Sequence, residues 1–448
     1  MMPSPLSPYS LLLALPLSIS LLACGDSGFP APGETPQAPA QNDASFTLGG
    51  LRQWSIIGNE VDIGNDSITV TIASPVDTDY VDGWLNSGEG IRFEKADTGF
   101  TATIDLSQLA PGDHQLLFSA DGAEVAFASH AFKRSHPLYV VVTTDWDDAD
   151  TSDVALALQD DLHDEHPELL LTHFVGPYTF TDSTVSQERQ DLLVAWLKGM
   201  RDTYQDEIGL HIHPYCNFVE QVGTILNIPD IPCNTQPSTV YSDDPSGYTV
   251  QVSSYDDEQF TNLLLASDKL FEEHGLGKPT SFRAGGWTAE INTIRSLAAA
   301  GYVADTSALN WKRLDEWDGP RMGTLYAWNR EHWSSIGDTS QPYYPSVDDI
   351  LVPGTESINV LEVPDNGILV DYVSTTEMIE IFQANWDGEL LTAPVNYSIG
   401  FHPSNFNAQY KQTIGGALTY VDGFLASKDQ GPVLYGRLSD MPKIWKRN

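Results

Sequence analysis

Two patterns of apolar and polar positions divide the chain near residue 137. Between residues 45 and 135 the two kinds alternate in short runs such as SITVTIASPV (67–76) and FTATIDLSQL (100–109), separated by turn residues such as Pro111-Gly112. Alternation with a period of two predicts strands that bury one face. We therefore expect a small all-β unit, an immunoglobulin-like sandwich, over residues 45–135.

Residues 138–448 instead alternate between strand-like and helix-like runs. LYVVVTTDW (138–146) is a continuous apolar strand, and SQERQDLLVAWLKGMRDTY (186–204) has helical apolar spacing before the strand EIGLHIH (207–213). About seven such βα units follow one another, without the glycine fingerprint of a dinucleotide-binding fold. The predicted fold class is α/β, a distorted (β/α) barrel of about seven strands, whose reactive residues lie at the carboxyl ends of the strands.

The N-terminal segment fits neither pattern. Residues 11–22 form an apolar stretch too short to span a bilayer, and it ends in LLAC, which resembles a bacterial lipoprotein cleavage box with Cys24 as the lipidated first residue. We expect a signal peptide over 1–23, a disordered tether over 24–44, and an exported protein anchored to a bacterial membrane, facing the periplasm or the cell exterior. No Lys or Arg precedes Arg52, so the usual positive start of such a signal is missing, and a plain secretory peptide is the alternative.

Charge and cysteine content narrow the environment and the partners. The 22 basic and 62 acidic residues give a net charge of −40, a field that repels nucleic acid phosphates and anionic lipids. We therefore expect no nucleic acid partner, and membrane contact only through the lipid on Cys24. The remaining cysteines, Cys216 and Cys233, are expected to form a disulfide in an oxidising compartment, with two free thiols as the alternative.

Acidic residues follow the first predicted barrel strand. The strand ends in TTDWDD, which contains Asp145, Asp147 and Asp148. Residues i and i+2 of a strand share a face, so Asp145 and Asp147 point the same way while Asp148 takes the other side.

Histidines and further charged residues follow the later strands. His211 and His213 share one face of EIGLHIH and can aim at one point, as two metal ligands do. Arg283 in FRAGGW, Asp305 in VADTS and His402 in GFHPSNF come where later strands end. Their shared placement at successive strand ends predicts one site at the barrel mouth.

These motifs, taken in order, resemble the polysaccharide deacetylase family of carbohydrate esterases, which has a distorted (β/α) barrel. The matching segments are TTDWDD, EIGLHIH, RAGGW, DTSALNW and GFHP, over residues 138 to about 440. The resemblance implies a polysaccharide substrate and a metal-dependent hydrolase that removes N-acetyl, or O-acetyl, groups from an envelope or extracellular glycan. It also implies a divalent metal, most commonly zinc.

The resemblance assigns a role to each residue, and the chemistry requires the same roles. A metal-bound water needs a base, and the leaving group needs an acid. The implied roles are Asp145 as base, His402 as acid, Arg283 orienting Asp145, the set Asp147, His211 and His213 as metal ligands, and Asp148 with Asp305 around the site.

Two spacings depart from the family pattern. The adjacent Asp pair becomes Asp-Trp-Asp-Asp, so base and ligand are either Asp145 with Asp147, which we expect, or Asp147 with Asp148. The second histidine usually lies four residues after the first, but Tyr215 stands there, so His213 has to replace it. If His213 does not complete the metal site, the alternative to a hydrolase is a lipoprotein with a degenerate deacetylase fold that binds glycan without hydrolysing it. A different HxH amidohydrolase is disfavoured because those enzymes usually carry that motif on their first barrel strand.

Overall fold

The computed structural model describes residues 32–62, 66–75, 77–233, 250–319 and 324–447. The predicted signal peptide and the predicted lipid attachment at Cys24 lie outside these residues. Within the described ranges, no helix combines the length and apolar character needed to cross a membrane.

The N-terminal part is a two-sheet β unit. Its strands are β1 (Thr47–Gly49), β2 (Trp54–Ile56), β3 (Ser67–Ala73), β4 (Val81–Leu85), β5 (Gly90–Arg92), β6 (Glu94–Ala96), β7 (Gly99–Asp105), β8 (Gly112–Ala120) and β9 (Ala128–Ser135). One sheet has the order β1-β3-β7-β6 and the other β2-β9-β8-β4-β5. Val70, Ile72 and Phe100 of the first sheet pack with Leu116 and Phe118 of the second in one core. This confirms the alternating strands, while the immunoglobulin-like topology stays a prediction.

The predicted tether over 24–44 is wrong in its last part. The backbone N–H of Gln37 donates to the carbonyl of Glu124, and the N–H of Ala126 donates back to Gln37, both at 2.9 Å. The N–H of Asp43 also donates to the carbonyl of Phe127, at 2.7 Å. These partners lie in the connection between β8 and β9, whose backbone groups pair with the extended N-terminal segment. The folded unit therefore begins by Gln37.

The second part is built on parallel strands. They are β10 (Leu138–Asp145), β11 (Leu171–Val175), β12 (Glu207–Ile212), β13 (Ser281–Ala284), β14 (Ala304–Asp305), β15 (Leu361–Glu362), β16 (Val395–Phe401) and β17 (Val433–Tyr435). The sheet order is β15-β14-β13-β12-β11-β10-β16, and β17 pairs with β10 beside this path. All of these pairs are parallel, so the carboxyl ends of the strands meet at one side.

One irregular segment connects the two edges of this curled sheet. β15 pairs with β14, and a few residues later the N–H of Gly367 donates to Ser398 at 2.7 Å and that of Val370 to Gly400 at 2.9 Å. Both acceptors lie in β16. The backbone from Leu361 to Val370 therefore pairs with β14 at its start and with β16 at its end. This closure is consistent with a distorted (β/α) barrel.

Helices connect and cover the strands. The described residues contain α1 (Asp153–Glu165), α2 (Tyr178–Thr181), α3 (Gln187–Tyr204), α4 (Cys216–Leu226), α5 (Asp257–Glu273), α6 (Ile291–Ala300), α7 (Trp311–Glu316), α8 (Thr324–His332), α9 (Thr375–Asn385), α10 (Ala408–Val421) and α11 (Met441–Ile444). Side-chain caps begin the two helices nearest the first strand. Ser152 accepts from the N–H of Ala155 in α1, and Ser186 accepts from the N–H of Arg189 in α3.

The β unit is attached at the amino ends of the barrel strands. β9 leads into β10 after two residues, and the N–H groups of Gln53 and Trp54 both donate to the carboxylate of Asp429, at 2.8 Å, just before β17. Lys133 also forms an ion pair with Glu389, just before β16. The carboxyl ends of the strands therefore stay clear of the β unit.

Candidate metal centre and active site

Asp147, His211 and His213 converge at the carboxyl ends of β10 and β12. The Nε2 atom of His211 lies 3.0 Å from Oδ1 of Asp147, and that of His213 lies 3.2 Å from the same oxygen. The three ligand atoms all lie within 4.8 Å of one another. The histidine side chains are 2% and 1% exposed, whereas that of Asp147 is 26% exposed and reaches solvent.

The surrounding backbone sets the orientation of both imidazoles. Nδ1 of His211 donates to the carbonyl of Arg283 at 2.9 Å, and this bond leaves the Nε2 lone pair for a metal. The ring of His213 stacks on Tyr215, with centroids 4.6 Å apart and planes 8° from parallel. A Cβ built on Gly285 would stand 2.5 Å from Cγ of His213, so a larger residue at position 285 would force that ring to move. His211 lies in β12, the third barrel strand along the chain, and His213 directly follows this strand. The HxH amidohydrolases, which usually carry the motif on their first barrel strand, therefore stay disfavoured.

The pKa shifts of Asp147 and His213 favour the protonation states that bind a metal cation. Burial alone would raise the pKa of Asp147, but the charge of His402 and His213 and hydrogen bonds from His211 and His213 hold that pKa well below its usual range. Burial lowers the pKa of His213, against the opposite pull of Asp147. An ionised carboxylate and a neutral imidazole are the forms that bind metal.

Asp145 lies beside this centre in a buried ion pair. Nη1 of Arg283 lies 2.9 Å from Oδ1 and 3.1 Å from Oδ2 of Asp145, and it also donates to the hydroxyl of Thr143 at 2.9 Å. Nη2 of Arg283 lies 3.4 Å from Oδ2 of Asp365. Burial alone would lower the pKa of Arg283, but Asp145 and Asp365 raise it. Arg283 therefore stays charged and fixes the orientation of Asp145.

His402 occupies another side of the same cavity. Its Nδ1 lies 2.9 Å from Oδ2 of Asp371, and its Nε2 lies 3.5 Å from Oδ2 of Asp147. Burial alone would lower the pKa of His402, but Asp147 and Asp371 raise it to about 10. A raised pKa favours the protonated ring, which has a proton to donate.

A cavity of about 230 Å³ at the barrel mouth is lined by the polar residues Asp145, Asp147, His211, Asp371 and His402. Its remaining wall includes Trp287, Leu325, Tyr372 and Asn405. Trp287 also donates from Nε1 to Asp365 at 3.2 Å, which joins the wall to the Arg283 network. The lining is mostly polar, with Trp287 and Tyr372 as its aromatic members, and polar groups that converge in a concave site can fix the orientation of a small ligand or of one unit of a polymer.

The structure corrects one predicted neighbour of the site and relocates another. Asp148 lies beyond the end of β10, is exposed, does not line the cavity, and has no hydrogen bond or ion pair among the described contacts. The alternative pair Asp147 with Asp148 is therefore not brought together. Asp305 is buried in the barrel interior, where it accepts from the hydroxyl of Ser307 at 2.9 Å and lies against Glu362. It does not line the cavity.

Sequence reasoning missed Asp365 and Asp371. Both lie in the irregular segment between β15 and the helix α9, in EVPDN and VDY. The available signal was an acid directly after a short apolar run, as after β10. Because this segment has no regular period, that signal did not distinguish them from the many other acids of the chain.

The predicted disulfide between Cys216 and Cys233 is confirmed, with an S–S distance of 2.08 Å. Cys216 is the first residue of α4, three residues after His213. The bond closes a loop of sequence separation 17 and ties the start of this helix to the chain before α5. Disulfides persist in oxidising compartments, so the bond indicates an exported protein.

Comparisons with known proteins give similarity in structure only. No protein-family model and no curated protein sequence matches the chain. A structure from Mycobacterium smegmatis, assigned as a polysaccharide deacetylase, is 15% identical with a TM-score of 0.38, over 70% of this chain and 93% of that one. A family 4 carbohydrate esterase from Streptomyces lividans, in complex with acetate, is 11% identical with a TM-score of 0.32, over 66% and 91%.

A third similar structure has a different activity. The 4-alpha-glucanotransferase from Thermococcus litoralis is 9% identical with a TM-score of 0.36, over 69% of this chain and 41% of that one. Identities and TM-scores this low do not transfer an activity, and one scaffold hosts several chemistries. The chain is thus similar to solved structures with a deacetylase fold, and its function has to be argued from its own side chains.

Proposed function

We propose that this protein is a metal-dependent hydrolase that removes N-acetyl, or O-acetyl, groups from a polysaccharide of the cell envelope or exterior. One observation carries the proposal: two imidazole nitrogens and one carboxylate oxygen converge within 4.8 Å of one another, and Asp147 and His211 of this set line the cavity that Asp145 and His402 also line. A ligand set, a fixed carboxylate and a cationic imidazole are the groups that hydrolysis of an acyl bond requires.

The residues present fit a divalent cation, and zinc is the proposed ion. Two histidine nitrogens and one carboxylate oxygen form a set that zinc prefers, and three protein ligands leave a position open for water or substrate. The bond from His211 to the carbonyl of Arg283 fixes the ligating nitrogen. When bound there, zinc would supply Lewis-acid polarisation of the acyl carbonyl and a water of lowered pKa.

Asp145 is proposed to accept the proton of the attacking water. Arg283 holds both carboxylate oxygens of Asp145, at 2.9 and 3.1 Å, so this carboxylate cannot rotate out of the cavity. A base held in one orientation loses less entropy as the transition state forms. Arg283 thereby acts as a positioning residue.

His402 is proposed to donate a proton to the leaving nitrogen or oxygen. Asp371 accepts from Nδ1 of His402 at 2.9 Å, which keeps the ring charged and directs Nε2 toward the cavity. An amine is a poor leaving group unless it is protonated as the acyl bond breaks. The acid and the base thus lie on separate elements, β16 and β10, around one cavity.

Substrate class and location complete the proposal. Trp287 and Tyr372 in the cavity wall offer aromatic surface against which a sugar ring can pack. The disulfide supports export, and attachment to a bacterial membrane through Cys24 remains part of the proposal. Access to envelope or extracellular glycan follows from that location.

Acetate release tests the proposal. Zinc-loaded protein is incubated with an oligomer of N-acetylglucosamine and, separately, with an O-acetylated xylan oligomer. We expect acetate from at least one of them, loss of the activity on chelation and its return with zinc, and no activity in the His211→Ala variant. No acetate from either substrate, together with glycan affinity that survives chelation, would instead identify a glycan-binding protein with a degenerate site.

A further inference from the structure

We infer that Arg189, on the first turn of α3, is a positioning residue that holds the metal-ligand loop in place. This loop, residues 146–152, connects β10 to α1 and carries Asp147. The inference rests on the proposed metal site, because it concerns how firmly one of the three ligands is held.

Arg189 binds the loop and the helix that follows through three separate donors. Nε lies 2.7 Å from Oδ1 of Asp150, and Nη1 lies 2.5 Å from Oδ1 of Asp153. Nη2 donates to the backbone carbonyl of Thr151. The side chain is only 20% exposed. The planar guanidinium can make these contacts at once, whereas the ammonium group of a lysine is a point charge.

The two ends of the loop are held in different ways. On the strand side, the N–H of Trp146 donates to the carbonyl of Phe174 at 3.0 Å. The carbonyl of Trp146 accepts from the hydroxyl of Tyr178. On the helix side, Asp148 and Asp150 are exposed. Arg189 is the only Lys or Arg that forms an ion pair with residues 146–153 in the part of the chain that the structure describes.

Without the guanidinium of Arg189, the carboxylates of the loop and of the first residue of α1 would repel one another. Asp147, Asp148, Asp150 and Asp153 bring four carboxylates within seven residues, and like charges at this spacing disfavour a compact turn. Asp147 reaches the imidazoles only from this loop, at 3.0 and 3.2 Å. A looser loop would therefore weaken metal binding although both histidines stay on β12.

The backbone of Arg189 is itself fixed. Its N–H donates to the side chain of Ser186, the residue that caps α3. The guanidinium thus projects from the first turn of an 18-residue helix, and its position does not depend on the loop. In the described part of the chain Arg189 contacts no ligand directly, so it acts on Asp147 through the loop that carries it.

Titration of the full-length protein with Zn²⁺ alone, against a competing chelator, tests the inference. We expect Arg189→Gln to weaken Zn²⁺ binding by up to about 10-fold, the lower end of the effect of removing a direct partner of a ligand, and Arg189→Lys to be intermediate. Arg201→Gln is the matched control, because Arg201 lies on the same helix and pairs with Asp202, away from the loop. It should bind Zn²⁺ as tightly as the wild type.

The outcomes separate this inference from the proposed function. Equal Zn²⁺ affinity in Arg189→Gln and wild type would overturn the positioning role while leaving the metal site intact. A wild-type protein that binds no Zn²⁺ would overturn the proposed function, and the inference with it. Should Arg189→Gln fail to fold, Asp150→Asn removes one contact from the loop side, and it should weaken binding by a smaller factor. Unchanged affinity in that variant would also count against the inference.

Discussion

Arg283 holds both carboxylate oxygens of Asp145 from a single nitrogen, at 2.9 and 3.1 Å, inside a barrel where neither side chain is more than 3% exposed. A buried pair of this kind fixes geometry more than it stabilises the fold, because desolvation of the two charges offsets much of their attraction. The same arginine accepts, at its carbonyl, the Nδ1 proton of His211. One residue thus orients both the proposed base and one proposed ligand.

The proposed base is tested by Asp145→Asn. The amide keeps an oxygen for Arg283 but cannot accept a proton, so we expect acetate release to fall by about 100-fold or more while zinc stays bound. Turnover and zinc content are measured on the same preparation. Asp148→Asn is the control, since Asp148 is exposed and outside the cavity. Near wild-type turnover in Asp145→Asn would exclude it as the base.

The close packing of Gly285 on His213 predicts a local steric effect. In Gly285→Ala the new Cβ would lie 2.5 Å from Cγ of His213, so the ring has to move and its ligating nitrogen moves with it. We expect Zn²⁺ affinity to fall about 10-fold or more. Gly199→Ala, in α3 with no atom within 4 Å of its new Cβ, should leave affinity unchanged and raise stability by about 0.5–1 kcal/mol. Equal affinity in the two variants would show that the ring is not confined.

The disulfide should stabilise the chain next to the ligands. Closing a loop of sequence separation 17 limits the unfolded ensemble, and its loss is expected to lower the free energy of unfolding by about 3 kcal/mol. Urea denaturation of a Cys216→Ser, Cys233→Ser double variant, compared with oxidised wild type, measures the difference. A difference near zero would mean that the bond does not constrain the unfolded chain.

Acid sensitivity is predicted from Asp206, a buried carboxylate that accepts from Nε2 of His163 at 2.9 Å and of His173 at 3.2 Å. Burial alone would raise the pKa of Asp206, but these two histidines lower it. A lowered folded-state pKa stabilises the protein above the unfolded pKa, near 4, and this contribution is lost as pH falls through the folded-state pKa.

Asp206→Asn removes that contribution. We expect it to be less stable than wild type by about 2 kcal/mol at pH 7, and its stability should change less than that of wild type between about pH 5 and pH 3. Unfolding in urea at a series of pH values compares the two proteins. Parallel pH profiles would show that Asp206 does not carry this acid dependence.

Local geometry made part of the site predictable. Residues two apart on a strand share a face whatever the fold around them, so His211 with His213 and Asp145 with Asp147 could be paired from sequence. Parallel strands bring their carboxyl ends to one side, so Arg283 and His402 could be assigned to the same mouth. The strand predicted over 138–146 extends one residue beyond the observed end of β10 at Asp145.

Contacts that depend on the closed barrel were not predictable in this way. Asp365 and Asp371 reach Arg283 and His402 from a segment with no regular period. The pairing of Gln37 with Val125 depends on the position of the connection between β8 and β9, which only the assembled β unit sets. Asp148 was wrongly assigned to the surroundings of the site, because β10 ends at Asp145 and Asp148 lies beyond it, exposed to solvent.

The most direct test of the account is stoichiometric Zn²⁺ binding by the purified wild type and by variants of its three proposed ligands. We predict one ion per chain in the wild type, and a loss of affinity greater than about 100-fold in each of Asp147→Ala, His211→Ala and His213→Ala. The control His114→Ala, on β8 of the N-terminal unit, should bind like wild type. Zn²⁺ affinity that is absent from the wild type, or unchanged in all three ligand variants, would contradict the account.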